Sequence, residues 1–228
     1  MKRRSRRLRE MTSRDVASVD KPILVVPIGS CEQHGPHLPV GTDSIVAEAL
    51  CDAIATANVR VVIGPTLTVT SSGEHAGFPG TLSVGSPVTS SMVVELVRSA
   101  DWASSVVLVN GHGGNVAAVQ DAVETLRAEA RNVTEWWPRV ADGDAHAGNV
   151  ETSIMLHLAK HLVNMELAEV GNTRPLGEIA GALRSNGLRA VSPNGVLGDP
   201  RTATARAGSA LMDQLVQQLT DHIANLHG

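Results

Sequence analysis

Side chains able to do chemistry crowd into four short stretches of this chain. In the first, Glu32-Gln33-His34-Gly35-Pro36-His37 is followed by Asp43, so two carboxylates and two imidazoles fall within twelve residues. Mixed nitrogen and oxygen donors suit a borderline divalent metal. Glu32 and His34, at i and i+2, point the same way from an extended segment. Asp43, at the start of a helical pattern, offers two oxygens that can bridge two ions. The alternative is that Asp43 only N-caps the helix and the histidines are solvated.

The second stretch is Asn110-Gly111-His112-Gly113-Gly114-Asn115. Its glycines let backbone approach a ligand closely. The helix start at Gly113 and Gly114 exposes N–H groups that favour an oxyanion. His112 adds a metal donor from a different strand, although a glycine-rich turn could carry a histidine incidentally. A phosphate-binding loop is a further reading, although neither a GxGxxG pattern nor a Walker lysine accompanies it.

The third stretch runs from Asp144 to Glu151 and holds His146. Glu151 is a candidate carboxylate for a second metal, and His146 a candidate proton-transfer group, since imidazole titrates near neutrality. In the fourth, Ser72 to Ser83, Glu74 and His75 are expected in the wall of an active site, facing substrate more than metal. Trp136 and Trp137 read either as strand packing or as an apolar cover for a substrate. His157 and His161 read as ordinary helix residues. Cys31 and Cys51 make no disulfide framework.

Alternating strand-like and helix-like segments position these groups. Apolar runs at 22–28, 59–63, 106–109 and 133–140 read as strands, the last an edge strand because of Pro138. Helices are expected over 43–57, from Ser86 (as N-cap, with Pro87 at N1) to 102, over 115–131 and 151–161, and from 204 to 226. The stretch between the last two is loop-rich. The pattern implies an α/β fold with a mostly parallel sheet covered on both faces. Glu32, His34, His112 and His146 then follow strand C-termini, where such sheets bind ligands.

Composition bounds the rest. Apolar residues make up 43% and charged residues 18% of 228 residues, as in a folded globular domain. A net charge of −4 argues against a nucleic-acid binder. Basic residues cluster once, before residue 10. Residues 1–18 are expected to form a flexible basic arm and 19–228 a single domain. With no secretory h-region and no long apolar run, the expectation is a cytoplasmic protein without a membrane partner.

The motifs EQHGPHLP with Asp43, GEHAGFPGTLS, NGHGGN and DAHAGNVETS, in this order from residue 32 to 153, resemble the creatininase family. The resemblance implies a three-layer αβα sandwich with a dinuclear metal site (Zn, Fe or Mn) that hydrolyses amide bonds. It implies Glu32, Asp43 and His112 on one ion, and His34, the shared Asp43 and a second carboxylate on the other. Creatininase takes that carboxylate from the position of Gly114, so this chain departs from the pattern and Glu151 is the replacement candidate. The details are most similar to a branch of peptidases in mycofactocin maturation, which removes a C-terminal Val-Tyr dipeptide from a modified precursor peptide. The family also implies a homo-oligomer. Two other readings stay open: an amidohydrolase or deformylase acting on a small cyclic amide or formamide, and a non-catalytic metal-binding protein of the same fold.

Overall fold

The computed structural model describes residues 5–227. Four strands, β1 (Ile23–Ile28), β2 (Val61–Ile63), β3 (Ser105–Asn110) and β4 (Val133–Trp136), form one parallel sheet in the order β2-β1-β3-β4. Every residue of β1, β2 and β3 is buried. This explains why these strands read as unbroken apolar runs rather than alternating ones. Alternate side chains still diverge. Ile23, Val25, Val107 and Val109 enter the core on one face, and Leu24, Val26, Val106 and Leu108 the core on the other. Burying each such side chain contributes roughly 1.5–3 kcal/mol.

Eight α-helices are present among the described residues. The short α1 (Ser13–Ala17) precedes the sheet and opens with a Thr12–Asp15 capping box. The first face is covered by α2 (Thr42–Ala57), α5 (Asn149–Leu158) and α8 (Ala205–Ala224). In α2, Val46, Leu50 and Ile54 recur every four residues, as do Leu215, Leu219 and Ile223 in α8, so each helix presents one apolar stripe. The second face is covered by α3 (Ser86–Arg98) and α4 (Val116–Ala128). The result is the expected αβα sandwich.

Some local features differ from expectation. Gly85, at φ 79°, takes the N-cap position of α3, and Ser86 Oγ instead meets Ser71 Oγ at 2.8 Å. Strand β4 ends at Trp136, two residues before Pro138, which has no N–H for the ladder. The stretch expected to be loop contains α6 (Leu176–Asn186) and α7 (Leu188–Val191), which pack on Phe78 and Leu197 as a small separate core. Of the basic cluster, Lys2, Arg3 and Arg4 lie outside the described residues. Arg7 pairs with Asp52 and bridges Ile63 of β2, while Leu8 and Met11 pack on the second core. No helix among the described residues is long and apolar enough to cross a membrane.

The order β2-β1-β3-β4 places a topological switch between β1 and β3, because the chain leaves β1 toward one edge and returns through β3 on the other side. Loops diverging from such a point open a crevice at the strands' carboxyl ends. The loop after β1 carries Glu32 and His34, and the loop after β3 carries His112.

Candidate metal centre

The crevice holds a cluster of buried carboxylates and imidazoles. Asp43 does not cap α2, whose N-cap is Gly41 without a side-chain bond. Its oxygens lie 3.0 Å from His34 Nε2, 3.2 Å from His112 Nδ1 and 2.7 Å from Ser30 Oγ. Burial works against its charge, but His34 and His112 hold its pKa well below the ordinary range. His34 donates from Nδ1 to the Glu32 carbonyl at 3.1 Å, which aims Nε2 at Asp43 and, at 3.8 Å, at Glu151. Burial disfavours its charge, yet Asp43 foremost, with Glu151 and Glu32, raises its pKa to about 10.

His112 is set by the two asparagines of its motif. Asn110 bonds the His112 carbonyl and N–H, at 2.9 and 3.2 Å. Asn115 ties Gly29 after β1 to the Ser71 N–H, at 2.9 and 3.0 Å, and so fastens three loops together. His112 Nε2 lies 2.9 Å from the Ser71 carbonyl and 3.0 Å from Glu32. Burial opposes its charge, but Glu32, Asp43 and Glu74 raise its pKa well above the ordinary range.

Gln33 organises the remaining imidazoles. Its Nε2 lies 3.1 Å from His75 Nδ1 and 3.1 Å from the Gly195 carbonyl, and His146 Nε2 lies 3.0 Å from the Gln33 carbonyl. A consistent proton assignment has His146 donating from Nε2 to that carbonyl and Gln33 donating to His75 and Gly195. His75 then presents Nε2–H to Glu32, and His146 presents the lone pair of Nδ1 to Glu32, at 3.1 and 3.9 Å. Burial, with His34 and His75 nearby, pushes the His146 pKa well below its ordinary value. A backbone pairing between His146 and Leu197 holds the ring in place.

Glu151 enters from the first turn of α5, with Oε2 2.6 Å from the Ala147 N–H, which is turned inward at φ 49°. Burial foremost raises its pKa to about 7; His34 lowers it, and Asp43 raises it further. The neighbouring His37, one of the imidazoles of the first stretch, is used differently. It bonds Thr152 Oγ1 at 2.9 Å and joins its loop to α5.

Three donor groups emerge among the described residues: Glu32, Asp43 and His112; His34, His146 and Glu151; and Glu32, His75 and His146. A cation fits them. Both oxygens of Glu32 are fully buried without a hydrogen bond in good geometry. A buried carboxylate left so is costly unless a positive charge completes it.

Several expected roles change. Glu74 and His75 lie against the cluster rather than along a substrate wall, with Glu74 3.3 Å from His112 Nε2 and His75 beside Glu32. The cause is the crossover after β2, which pairs Leu67 with Ile28 and Leu82 with Cys31 and so presses this loop onto the β1 loop. A Cβ on Gly114 would collide with Glu74, His112 and, at 2.7 Å, the Ser71 carbonyl. Trp136 is no substrate cover, because it packs in the first core at 8% exposure. Trp137, its neighbour, lines a cavity of about 610 Å³ that reaches Asp43, His112, Gly113 and Glu151. Ser30, Gln33, Asn110 and Asn115 were not assigned roles from sequence, although all lie within or beside the motifs.

The family model described as creatininase, creatinine amidohydrolase, matches residues 9–223. The chain belongs to the creatininase family. Its curated relatives in this family include a mycofactocin precursor peptide peptidase of Mycolicibacterium smegmatis, 45% identical over 93% of this chain and 88% of that one. Another of the same description, from Mycobacterium tuberculosis, is 42% identical over 89% of this chain and 85% of its own. Among solved structures, a creatininase variant described as of Zn-Zn type superposes with a TM-score of 0.83, at 23% identity, covering 98% of each chain. The creatininase fold therefore accounts for the sandwich and for where its crevice lies.

Proposed function

We propose that this chain is a metal-dependent peptidase that releases a C-terminal Val-Tyr dipeptide from a modified precursor peptide in mycofactocin biosynthesis. The likeness to the Mycolicibacterium peptidase over nearly the whole chain carries this reading. The buried donor cluster beside an open cavity gives it a site. We assign Glu32, Asp43 and His112 to one divalent ion, and His34, Asp43 and Glu151 to a second, with Zn, Fe or Mn as the metals. When bound, such ions supply Lewis acidity and a water acidic enough to yield hydroxide at neutral pH.

The chain's own groups do the rest. We assign to the N–H groups of Gly113 and Gly114, at the start of the turn leading into α4, the donation of hydrogen bonds to the oxygen of the amide under attack. Trp137 gives the cavity an apolar face for side chains of the leaving dipeptide. His146, neutral and held by Gln33, has the lone pair of Nδ1 free to take a proton from the attacking water and then return it to the departing amine. The cytoplasm is the expected compartment and a homo-oligomer the expected assembly, which sedimentation would test.

The decisive experiment incubates metal-loaded protein with the modified precursor and follows its mass. Loss of one Val-Tyr unit is expected, and an unchanged mass refutes the peptidase reading. A second reading, hydrolysis of a small cyclic amide or formamide, draws on the family's description as creatinine amidohydrolase. Turnover of such a compound with the precursor left intact would favour it.

A further inference from the structure

Two ions leave unused one of the three donor groups found among the described residues. That group, Glu32, His75 and His146, is buried throughout. Glu32 links it to the ligands of the first ion, with Oε1 3.1 Å from His75 Nε2 and Oε2 3.0 Å from His112 Nε2. Only an unprotonated imidazole nitrogen can ligate, so the group's capacity for a cation depends on where the ring protons sit. One neutral side chain sets them.

Gln33 is buried, and both ends of its amide meet backbone groups of fixed polarity. Its Oε1 accepts from the Gly35 N–H at 2.9 Å, and its Nε2 donates to the Gly195 carbonyl at 3.1 Å. A reversed amide would set N–H against N–H and oxygen against oxygen, so the orientation is determined. The approach of Gly195 needs a bare α-carbon: its φ is 77°, and a Cβ there would collide with the Gln33 amide.

The second proton of Gln33 Nε2 faces His75 Nδ1 at 3.1 Å. A proton on that ring nitrogen would oppose two donors, so Nδ1 accepts and the ring's proton lies on Nε2, toward Glu32. His146 has the same tautomer with the opposite result. Its Nε2 lies 3.0 Å from the Gln33 carbonyl and 3.2 Å from Gln33 Nε2, whose two protons are already used. His146 therefore donates to the carbonyl, and its Nδ1 lone pair faces Glu32 at 3.9 Å. One free lone pair and one shared carboxylate are fewer than the three protein ligands of an ordinary zinc site.

We propose that Gln33 limits the cluster to two ions, by holding a proton on His75 Nε2 where a third cation would bind. The Nδ1 lone pair of His146 is thereby kept for proton transfer. The proposal rests on the two-ion assignment above and adds the residue that sets the ion count. Gln33 is a positioning residue, acting through His75. Gln33→Glu should reverse the lock: a carboxylate accepts where the amide donated, so His75 moves its proton to Nδ1 and turns an Nε2 lone pair to Glu32.

The test reads the tautomer and the ion count, neither of which needs turnover. Long-range proton–nitrogen NMR of the zinc-loaded wild type, labelled with ¹⁵N-histidine, should show His75 protonated on Nε2, its signals assigned by their loss in His75→Phe. Elemental analysis after dialysis against excess zinc should give two ions for wild type and for His75→Phe, three for Gln33→Glu, and two again for Gln33→Glu combined with His75→Phe. Thermal melts check that each variant folds. Should Gln33→Glu fail to fold, the wild-type tautomer and the ion count of His75→Phe decide.

A wild-type His75 protonated on Nδ1, a third ion in wild type, or an ion lost in His75→Phe makes His75 a ligand and overturns the proposal. So does a folded Gln33→Glu that still holds two ions. A third ion that survives His75→Phe in the double variant comes from the added charge alone and overturns it equally. Each of these leaves the ligands of the first two ions standing. If wild type holds no zinc at all, the two-ion assignment falls and this inference falls with it.

Discussion

Asp43→Asn is the most informative single change, because it keeps the side chain's shape and removes only its charge. The carboxylate faces His34 at 3.0 Å and His112 at 3.2 Å, and both imidazoles are buried. Asp43 is held well below the usual carboxylate range, so its contribution to stability is complete above about pH 4 and is lost only on acidification through its folded pKa. A measurement at pH 7 therefore sees all of it. Orphaning a buried charge costs about 3–5 kcal/mol. Here the imidazoles can shed their protons instead, so the metal-free variant should lose roughly 1–3 kcal/mol. The larger effect concerns added metal. An ion at a hundred times its dissociation constant stabilises by about 2.7 kcal/mol, or roughly 5–11 °C for a domain of this length. Wild type stripped of metal and titrated with zinc should show that shift in a thermal melt, and Asp43→Asn should show none, with elemental analysis giving no bound ion. An Asn variant that keeps two ions, or the wild-type shift, refutes Asp43 as the shared ligand.

Three further outcomes are expected. His146→Ala should lose about 10²- to 10⁴-fold in rate while retaining metal if the residue moves a proton; loss of metal on elemental analysis would make it a ligand, as its place in two of the donor groups allows. In metal-free protein His34 sits at about 10, His112 well above its ordinary range and Glu151 at about 7. Ligation must release these protons, so affinity rises with pH, and chelator competition should show binding at least roughly 100-fold weaker at pH 6 than at pH 8; a flat profile would contradict the ligand set. Trp136→Ala should destabilise by about 3–5 kcal/mol in chemical denaturation, whereas Trp137→Ala should leave the denaturation midpoint nearly unchanged and raise KM for the precursor; the reverse pattern would exchange their roles.

Much of the frame was legible because its signals are local. The run Ile23–Ile28 is apolar throughout since both of its faces are covered, and the Gly and Pro residues around it mark where it stops. The approach of Glu151 to His34 was also within reach, because both follow strands that end on one edge of the sheet. What failed was non-local. Gln33 owes its role to His75, His146 and Gly195, which are 42, 113 and 162 residues away in sequence. Helix α6 begins at a proline and buries only Ile179, so its periodicity was too thin to separate it from loop. Trp136 and Trp137 look interchangeable as letters, but the end of a strand sends successive side chains to opposite sides. One became core and the other cavity lining.

The crowding of Glu74 against the bare α-carbon of Gly114 carries a consequence for the lineage as well as for this molecule. Two positions forty residues apart claim the same small volume, so the pair must change in concert. Among descendants of a common ancestor, a long side chain at the later position should occur with a shortened or redirected one at the earlier. Either single replacement should then be a poor intermediate, and exchange between the two arrangements should require both steps close together.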